Sequence, residues 1–210
     1  MDGTRLQSLL NTGYARAASH IGTAHAWYRG FLIDPTAPQF QMGTLSAAWG
    51  VDAQFQNTPN YQTLLYRAFI DTTQAQAGDI LIGAQTYVLL ETGPLIPPLG
   101  LVCTDQIKIE RMTAPSVAAG LQTYSAPTTL QLIARGLPGN VQIKKEVGTL
   151  PANLPGDVSR RTYWIVSFYG PNGTVKDGDI ITDGEGYRYQ VTAANWQSIY
   201  YQCLCERLES

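Results

Sequence analysis

The stretch Gly78-Asp79-Ile80-Leu81-Ile82 decides the fold, because its frame recurs one hundred residues later as Gly178-Asp179-Ile180-Ile181-Thr182. In each copy a glycine and an aspartate, both common in tight turns, precede a short aliphatic run that favours a strand. We expect each aspartate to cap its turn by accepting hydrogen bonds from backbone amides. A tyrosine and a cysteine follow each run, namely Tyr87 with Cys103, and Tyr187 with Cys203. The recurrence predicts two β-units, which arose by internal duplication or reached the same topology twice.

Further strand-length runs surround each frame. They occupy residues 61–112 and residues 129–210 and are bounded by Gly, Pro and Asn turns. Residues 113–128 are small, polar and bounded by proline, which is typical of a linker. The sequence therefore predicts a mainly β protein with two small β-barrel or β-sandwich domains, preceded by an N-terminal amphipathic helix and an extended arm.

Residues 1–60 form the predicted helix and arm. Apolar residues recur at helical spacing over residues 4–20, which predicts an amphipathic helix. From Gly22 to about residue 60 the chain is rich in Pro, Gly, Thr and Gln, with scattered aromatic residues. This segment has too little periodicity for a core element and too many large apolar groups for a solvated linker. We expect it to dock its aromatic side chains on its own β-domains or on a neighbouring subunit.

The composition is low in charge. Charged residues make up 14% of the chain, against an average of about 25% for soluble proteins. Such a surface suits burial against other subunits, because interfaces are depleted in Lys and Glu and enriched in Tyr, Trp and Arg. An uncharged β-protein without partners fits the same composition. The net charge of −2 and the lack of a basic cluster argue against DNA binding by counterion release.

The three cysteines point to a reducing origin. An odd count without a secretory signal favours the cytoplasm. Cys203 and Cys205 share one face of a predicted strand, but no second Cys or His pair lies nearby, so we expect small buried apolar side chains rather than zinc ligands. No run of about 18 apolar residues predicts a membrane span.

A search for reactive groups yields no site. His20 and His25 are five residues apart, which is not the i, i+4 spacing of helical metal ligands, and we expect both at solvent or at an interface. The acidic residues between 177 and 185 are interrupted by a predicted strand, which favours acidic turns over a calcium loop. The sequence predicts no catalytic, cofactor-binding or metal-binding residue, and therefore no enzyme.

Five short motifs follow one another in the first β-unit, and they are Gly78-Asp79-Ile80, Tyr87-Val88, Pro94-Leu95-Ile96-Pro97, Leu101-Val102-Cys103 and Ile107-Lys108-Ile109-Glu110-Arg111. This series resembles a family of tailed-bacteriophage virion proteins encoded among the head-to-tail genes. In that family a Gly-Asp strand leads to an aromatic strand, a pro-leu-leu-pro loop and a val-cys strand. This sequence departs from the pattern at Thr104-Asp105-Gln106, where the family has a more basic turn.

The N-terminus and the second β-unit add to this resemblance. Family members begin with a small-residue helix and a Tyr-Arg pair, which Gly13-Tyr14-Ala15-Arg16-Ala17-Ala18 and Tyr28-Arg29 resemble. The second β-unit resembles the Gly-Asp…Tyr-x-Val pattern of head-closure and tail-terminator barrels.

The resemblance implies a structural subunit of the head-to-tail connector, or neck, located in the virion and assembled in the host cytoplasm. Its partners would be other copies of itself in a ring, the portal, and adjacent neck or tail proteins, with DNA only as passing cargo and no membrane. Residues of the helix and the arm would contact these partners. The expected interface residues are Leu6, Leu10, Tyr14, Arg16, Trp27, Tyr28, Arg29 and Phe31.

Two other functions are open at this point. A carbohydrate- or receptor-binding β-module of a phage tail or baseplate would use exposed tryptophans as stacking platforms, and the candidates are Trp27, Trp49, Trp164 and Trp196. An enzyme is the third hypothesis, although no motif supports it.

Overall fold

A computed structural model describes residues 3–51, 65–93, 95–113, 129–144, 163–197 and 200–208. These ranges hold one α-helix, one 3₁₀ turn (Pro38–Phe40) and twelve strands. The helix and strands are α1 (Gly3–Ile21), β1 (Thr23–Tyr28), β2 (Gln41–Val51), β3 (Leu65–Ile70), β4 (Ile80–Ile82), β5 (Thr86–Glu91), β6 (Leu99–Cys103), β7 (Asp105–Thr113), β8 (Thr129–Lys144), β9 (Tyr163–Phe168), β10 (Ile180–Thr182), β11 (Arg188–Trp196) and β12 (Tyr201–Arg207).

The strands form two closed, antiparallel six-stranded barrels. The first has the order β1-β2-β3-β6-β5-β4, and β4 pairs back to β1. The second has the order β7-β8-β9-β12-β11-β10, and β10 pairs back to β7. Each strand of the first barrel thus has a counterpart six strands later. The predicted fold class, mainly β with two small barrels after an N-terminal helix, is confirmed.

The two barrels also share the irregularities of their ladders. In each barrel the ladder of the first and second strands and the ladder of the fifth and sixth strands contain a register shift. The shifts fall at Trp27/Tyr28 and Ile109/Glu110, and at Leu89/Glu91 and Val191/Ala193. The second barrel has one additional shift, between Ile107 and Ile109. Shared β-bulges mean that the repeat extends to backbone detail, because a bulge inserts a residue at a defined ladder position.

The register corrects part of the predicted repeat. Tyr87 pairs with Leu81, and the residue that pairs with Ile181 is Tyr189 rather than Tyr187. The turn between β10 and β11 is two residues longer than the turn between β4 and β5, which shifts the alignment. The two cysteines of the predicted frame likewise occupy different ladder positions.

The predicted domain boundaries are wrong at two places. Strands β1 and β2 belong to the first barrel, so the predicted arm within residues 1–60 contains two strands of a β-domain, and residues 52–60 lie outside the described residues. Strand β7 belongs to the second barrel, so the barrels meet at Thr104 and not in a linker at 113–128, nearly all of which lies outside the described residues. The polar residues Thr104-Asp105-Gln106 mark this junction between β6 and β7, and the predicted division into domains 61–112 and 129–210 places it too late in the chain.

The first barrel packs on the second through an apolar outer face. The corresponding outer face of the second barrel is polar. Seven buried residues form a cluster with Tyr169 and Tyr200 of the second barrel, and they are Leu65, Ile80, Val88, Leu90, Leu99, Leu101 and Cys103. The ladder positions that correspond to Val88, Leu90 and Leu101 hold Gln190, Thr192 and Glu206 in the second barrel. The outer face of β11 and β12 is therefore polar, and the packing is not repeated there.

The loop between β1 and β2 fastens the first barrel to the second. The Asp34 amide donates to the Arg135 carbonyl at 2.8 Å, and the Arg135 amide donates to the Leu32 carbonyl at 2.9 Å. The Arg135 guanidinium also pairs with the Asp34 carboxylate. Gly136, at φ +65°, lies in the additional register shift of β8, and a Cβ there would lie 3.1 Å from the Asp34 carboxylate. The additional bulge of β8 is thus the place where this loop binds the second barrel.

An arginine and a buried aspartate clamp the closing seam of the first barrel. Arg29 follows β1 and Asp79 precedes β4, the two strands whose pairing closes the ring. Arg29 Nε donates to Asp79 Oδ1 at 2.7 Å and Nη2 donates to Oδ2 at 2.9 Å. The same Asp79 Oδ2 accepts from the Gln76 amide at 2.9 Å, and Arg29 Nη2 reaches the Gln74 carbonyl at 3.0 Å. The Asp79 side chain is fully buried.

The second barrel repeats this clamp atom for atom. Arg111 donates to both carboxylate oxygens of Asp179 at 2.8 Å, the Lys176 amide donates to Oδ2 at 2.8 Å, and Arg111 Nη2 reaches the Thr174 carbonyl at 3.0 Å. Hydrogen bonding to Asp179 raises the pKa of Arg111 above its usual value, as Asp79 does for Arg29. The prediction that each aspartate caps its turn is confirmed.

Replacing either aspartate of the clamp should destabilise the protein by a similar amount. Asp79→Asn and Asp179→Asn each place an amide NH₂ among hydrogen-bond donors, and we expect each to lower the free energy of unfolding by about 2 to 3 kcal/mol. Urea unfolding followed by circular dichroism measures the loss. Asp34→Asn removes an exposed ion pair and should cost much less. Equal losses in all three variants would contradict a special role for the seam.

Candidate partner interface

His25 already has hydrogen-bond partners within the chain on both of its ring nitrogens. His25 is buried inside the first barrel, where Nδ1 donates to the Thr23 carbonyl at 2.8 Å and Nε2 accepts from Trp49 Nε1 at 3.3 Å. Both ring nitrogens therefore have partners in the neutral tautomer with its proton on Nδ1. The prediction of a solvent or interface position is wrong for His25, because alternation along β1 turns it inward, whereas His20 is exposed.

No metal-ligand cluster is present in the described ranges. No three His, Cys, Asp or Glu side chains within them lie close enough together to hold an ion. In the acidic turn after β10, Asp183 Oδ1 accepts from the Glu185 and Tyr187 amides, and Oδ2 accepts from the Tyr189 hydroxyl. This carboxylate therefore organises its own turn.

The tryptophans do not form a set of exposed stacking platforms. Trp27 is 8% exposed in the core of the first barrel. Trp49 stacks on Tyr87 with 3.8 Å between ring centroids, and Trp164 packs 5.3 Å from Tyr189. Trp196 alone among the four tryptophans is exposed. Their rings serve mainly to fill the two barrels, which weighs against the carbohydrate-binding hypothesis.

The predicted interface residues separate into three groups. Leu6, Arg16 and Phe31 are exposed, as a partner contact requires. Leu10, Tyr14 and Tyr28 are half-buried and pack within the chain, and Tyr14 lies 5.7 Å from the Phe69 ring. Trp27 and Arg29 have roles within the chain, because Trp27 is in the core and Arg29 pairs with the buried Asp79. Aromatic and arginine side chains are enriched at interfaces, but here they build the barrel instead.

Helix α1 offers one exposed apolar surface. Its C-terminal half packs on β2 and β3 with Ala18 buried, and it ends where the Gly22 amide donates to the Ala18 carbonyl. Its N-terminal half leaves Leu6 and Leu9 exposed, the latter by 59%. We call Leu6 and Leu9 the helix surface.

A polar cleft lies beside the helix surface. Its volume is about 810 Å³, and it separates α1 from the barrel residues Asp71 and Thr73. Gln7 fixes the helix across it, because Gln7 Oε1 accepts from the Leu95 amide at 2.6 Å. The N-terminal half of α1 is thus held in place while its leucines remain open to a partner.

The end of the β7–β8 hairpin offers a second exposed apolar surface, which the sequence prediction missed. Met112 and Leu130 are paired residues and are 52% and 42% exposed. Leu132 lies two residues along β8 on the same face and is also exposed. We call these three residues the ribbon end. The alternation Leu130-Gln131-Leu132 was a signal for it, but half of this hairpin was assigned to the wrong domain.

Comparisons with known proteins add no relative. No family model matches the chain, and neither a search of the curated proteins nor a search of the solved structures found a match. Within the ranges that the structure describes, no helix combines the length and the apolar character needed to cross a membrane. The geometry described above is therefore the basis for inferring a function.

All three cysteines are buried thiols, which confirms the prediction made for Cys203 and Cys205. Cys203 and Cys205 are inside the second barrel, and Cys103 is buried between the barrels. Burial raises the pKa of Cys203 to about 12 and raises the pKa of Cys103 and Cys205 in the same direction. These thiols are therefore poor nucleophiles and poor metal ligands in the folded state.

Thiol burial should make the protein less stable in alkali. The unfolded chain ionises Cys203 above about pH 9, whereas the folded chain keeps the proton up to about pH 12. The free energy of unfolding should therefore be unaffected below pH 9 and should fall by up to about 1.4 kcal/mol per pH unit for this thiol above it. Urea unfolding at about pH 8 and about pH 10 measures the slope. Cys203→Ala should show a smaller slope, and an unchanged slope would contradict the assignment.

Proposed function

We propose that this chain is a structural protein of a tailed-bacteriophage virion, forming an oligomeric ring in the head-to-tail connector through which DNA passes. The resemblance of residues 5–30 and 78–111 to the family of neck proteins motivates the proposal. The two small barrels are the kind of domain that this resemblance implies. The partners would be other copies of the chain, the portal, and adjacent neck or tail proteins.

The observation that carries the proposal is the presence of two separate exposed apolar surfaces. The helix surface lies on α1 of the first barrel, and the ribbon end lies on the β7–β8 hairpin of the second. A ring built from heterologous contacts needs two different patches on each subunit. Contiguous exposed apolar patches are a common feature of protein interaction sites. A chain with 14% charged residues and two such surfaces is suited to assembly.

The interior of each barrel supports a structural rather than a catalytic role. Side chains fill both barrels, and the buried imidazole of His25 is engaged by Thr23 and Trp49. The candidate nucleophiles Cys203 and Cys205 are shielded from solvent. We therefore propose no reaction for this chain.

If the proposal is right, the protein is a component of the mature particle. Virions purified from the phage that encodes this chain should contain it at a fixed ratio to the portal protein, because a ring has a defined copy number. Quantitative mass spectrometry of density-purified particles measures the ratio. Absence of the protein from particles that contain portal and tail proteins would refute the proposal.

Polar substitutions on the helix surface should prevent incorporation without unfolding the chain. Leu6→Ser together with Leu9→Ser changes two exposed side chains and leaves Tyr14 and Ala18 on their packing surface. We expect the melting temperature to change little and the amount of protein per particle to fall at least about tenfold, since the burial of each leucine in a contact contributes about 1.5 to 3 kcal/mol.

Ile21→Ser is the matched control for this experiment, because Ile21 is an exposed apolar residue at the other end of the same helix. Normal incorporation of the double variant would exclude the helix surface from the interface. A large fall in melting temperature would instead assign Leu6 and Leu9 to folding.

A further inference from the structure

Arg207 stands at a position that holds an apolar side chain in the first barrel. Arg207 pairs with Tyr189, and the corresponding Tyr87 of the first barrel pairs with Val102. Paired residues of an antiparallel ladder point to the same face of the sheet, so Arg207 and Val102 both continue the inward face of their strands. Val102 is 8% exposed in the first core, whereas Arg207 is exposed at the end of β12. The second barrel therefore presents a cation where the first barrel buries a valine.

Two aromatic rings hold the guanidinium of Arg207. Its central carbon lies 3.6 Å from the centroid of the Tyr187 ring and 5.8 Å from the centroid of the Trp164 ring. Arginine stacks on aromatic faces, and stacking leaves the N–H groups at the edge of the guanidinium plane available for hydrogen bonds. Tyr187 is 42% exposed, so the stack lies at the surface of the protein. We call Arg207 with these two rings the arginine site.

The turn between β10 and β11 places Tyr187 at the arginine site. This turn is two residues longer than its counterpart in the first barrel. Asp183 Oδ1 accepts from the Glu185 and Tyr187 amides at 3.1 and 2.8 Å, and Oδ2 accepts from the Tyr189 hydroxyl at 2.6 Å. Asp105 Oδ1 accepts from a further amide of the turn at 2.9 Å. The longer turn is therefore fixed by hydrogen bonds and supports the arginine.

Arg207 has no carboxylate partner among the residues that the structure describes. Asp105 and Asp183 lie close enough to act on the Tyr189 hydroxyl together with Arg207, but their oxygens accept from groups of the turn instead. An arginine whose plane is already fixed loses less conformational freedom on binding, and its paired N–H groups match the two oxygens of a carboxylate. The arginine site is thus preorganised for an oxyanion.

The surrounding charges favour a single carboxylate over a phosphate polymer. Asp105, Asp183 and the exposed Glu185 belong to the turn and its support. Their negative charge disfavours a polyanion, which binds to clusters of Lys and Arg. Arginine, tyrosine and tryptophan are also the residue types that contribute most to contacts between proteins. An acidic side chain of another protein fits both observations.

We propose that the arginine site binds an Asp or Glu carboxylate of a partner protein. Arg207 donates to both carboxylate oxygens while its guanidinium stays stacked on Tyr187. The site is distinct from the helix surface and the ribbon end, because its contact is ionic and theirs are apolar. The partner would be an adjacent protein of the particle, and in that respect the inference rests on the function proposed above.

Acetate binding to the purified full chain tests the chemistry of the site. The side-chain N–H resonance of Arg207, identified by its loss in Arg207→Gln, should shift with a midpoint at an acetate concentration at least about fivefold lower than that of Arg188, because stacking fixes the guanidinium. Chloride keeps the ionic strength constant. Arg188 is the matched control, since it is exposed beside the same turn and stacks on no ring among the described residues. Equal midpoints would mean an adventitious ion only and would overturn the proposal.

Substitutions of Tyr187 test the role of the stack. Tyr187→Phe keeps the ring and should bind acetate like wild type, whereas Tyr187→Ala should raise the Arg207 midpoint to that of Arg188. Wild-type binding by Tyr187→Ala would refute the stacked geometry. Inorganic phosphate is the second probe, and phosphate binding at least about tenfold tighter than acetate would overturn the choice of a carboxylate.

Incorporation into particles tests the partner. Arg207→Gln should lower the amount of protein per particle at least about tenfold, because truncating one side of a buried charge pair leaves the other charge unpaired. Arg188→Gln should leave the amount unchanged. Normal incorporation of Arg207→Gln would overturn the assignment of a partner in the particle. The function proposed above fails separately, by absence of the wild-type protein from virions, because acetate binding is measured on the purified chain.

Discussion

Closure of each barrel depends on a carboxylate that is taken out of water. The strands that close the rings, β4 and β10, are three residues long, so the seam has only a short ladder to hold it. Asp79 and Asp179 compensate by binding an arginine from the opposite side of the seam and an amide from their own turn. Burying a carboxylate is costly unless nearly all of its hydrogen-bonding capacity is satisfied. Here the guanidinium of an arginine and a backbone amide of the turn donate these hydrogen bonds. The carboxylate therefore keeps its partners only if the turn keeps its geometry.

The clamp and the two shared bulges do not vary between the two barrels, whereas the core side chains do. At one ladder position the first barrel pairs Trp49 with Ala68, and the second pairs Val141 with Val166. A large residue beside a small one is replaced by two of intermediate size, as volume-conserving repacking allows. The repeat is thus defined by backbone hydrogen bonding more than by side-chain identity. This explains why few residues besides the Gly-Asp-Ile frame are shared between the copies.

Local chemistry could be predicted from the sequence, and long-range pairing could not. The turn-capping aspartates and the existence of two β-units follow from the recurring frame, because turn residues act over a few positions. The pairing of β1 with β4 joins residues about fifty positions apart, and a Gly- and Pro-containing loop separates β1 from β2, so both strands resembled an arm. The same residue types then misdirected the site prediction: Trp27 and Arg29 suit an interface but also a barrel core and a clamp. The exposure of Leu6 and Phe31 could be predicted, because it follows from the local helix and loop patterns.

The outer faces of the two barrels differ at corresponding positions: the first is apolar and packs on the second barrel, and the second is polar. Val88 and Leu90 are part of the apolar cluster through which the first barrel packs on the second. Gln190 and Thr192 occupy the corresponding positions of the second barrel, where this packing is not repeated. If the second barrel had only to be stable in water, its hairpin would be expected to lose its apolar residues in the same way. It keeps Met112 beside its paired leucine, although exposed apolar clusters promote association. The polar outer face of β11 and β12 therefore ends the packing of barrel on barrel, while the ribbon end of the same barrel keeps an apolar surface exposed.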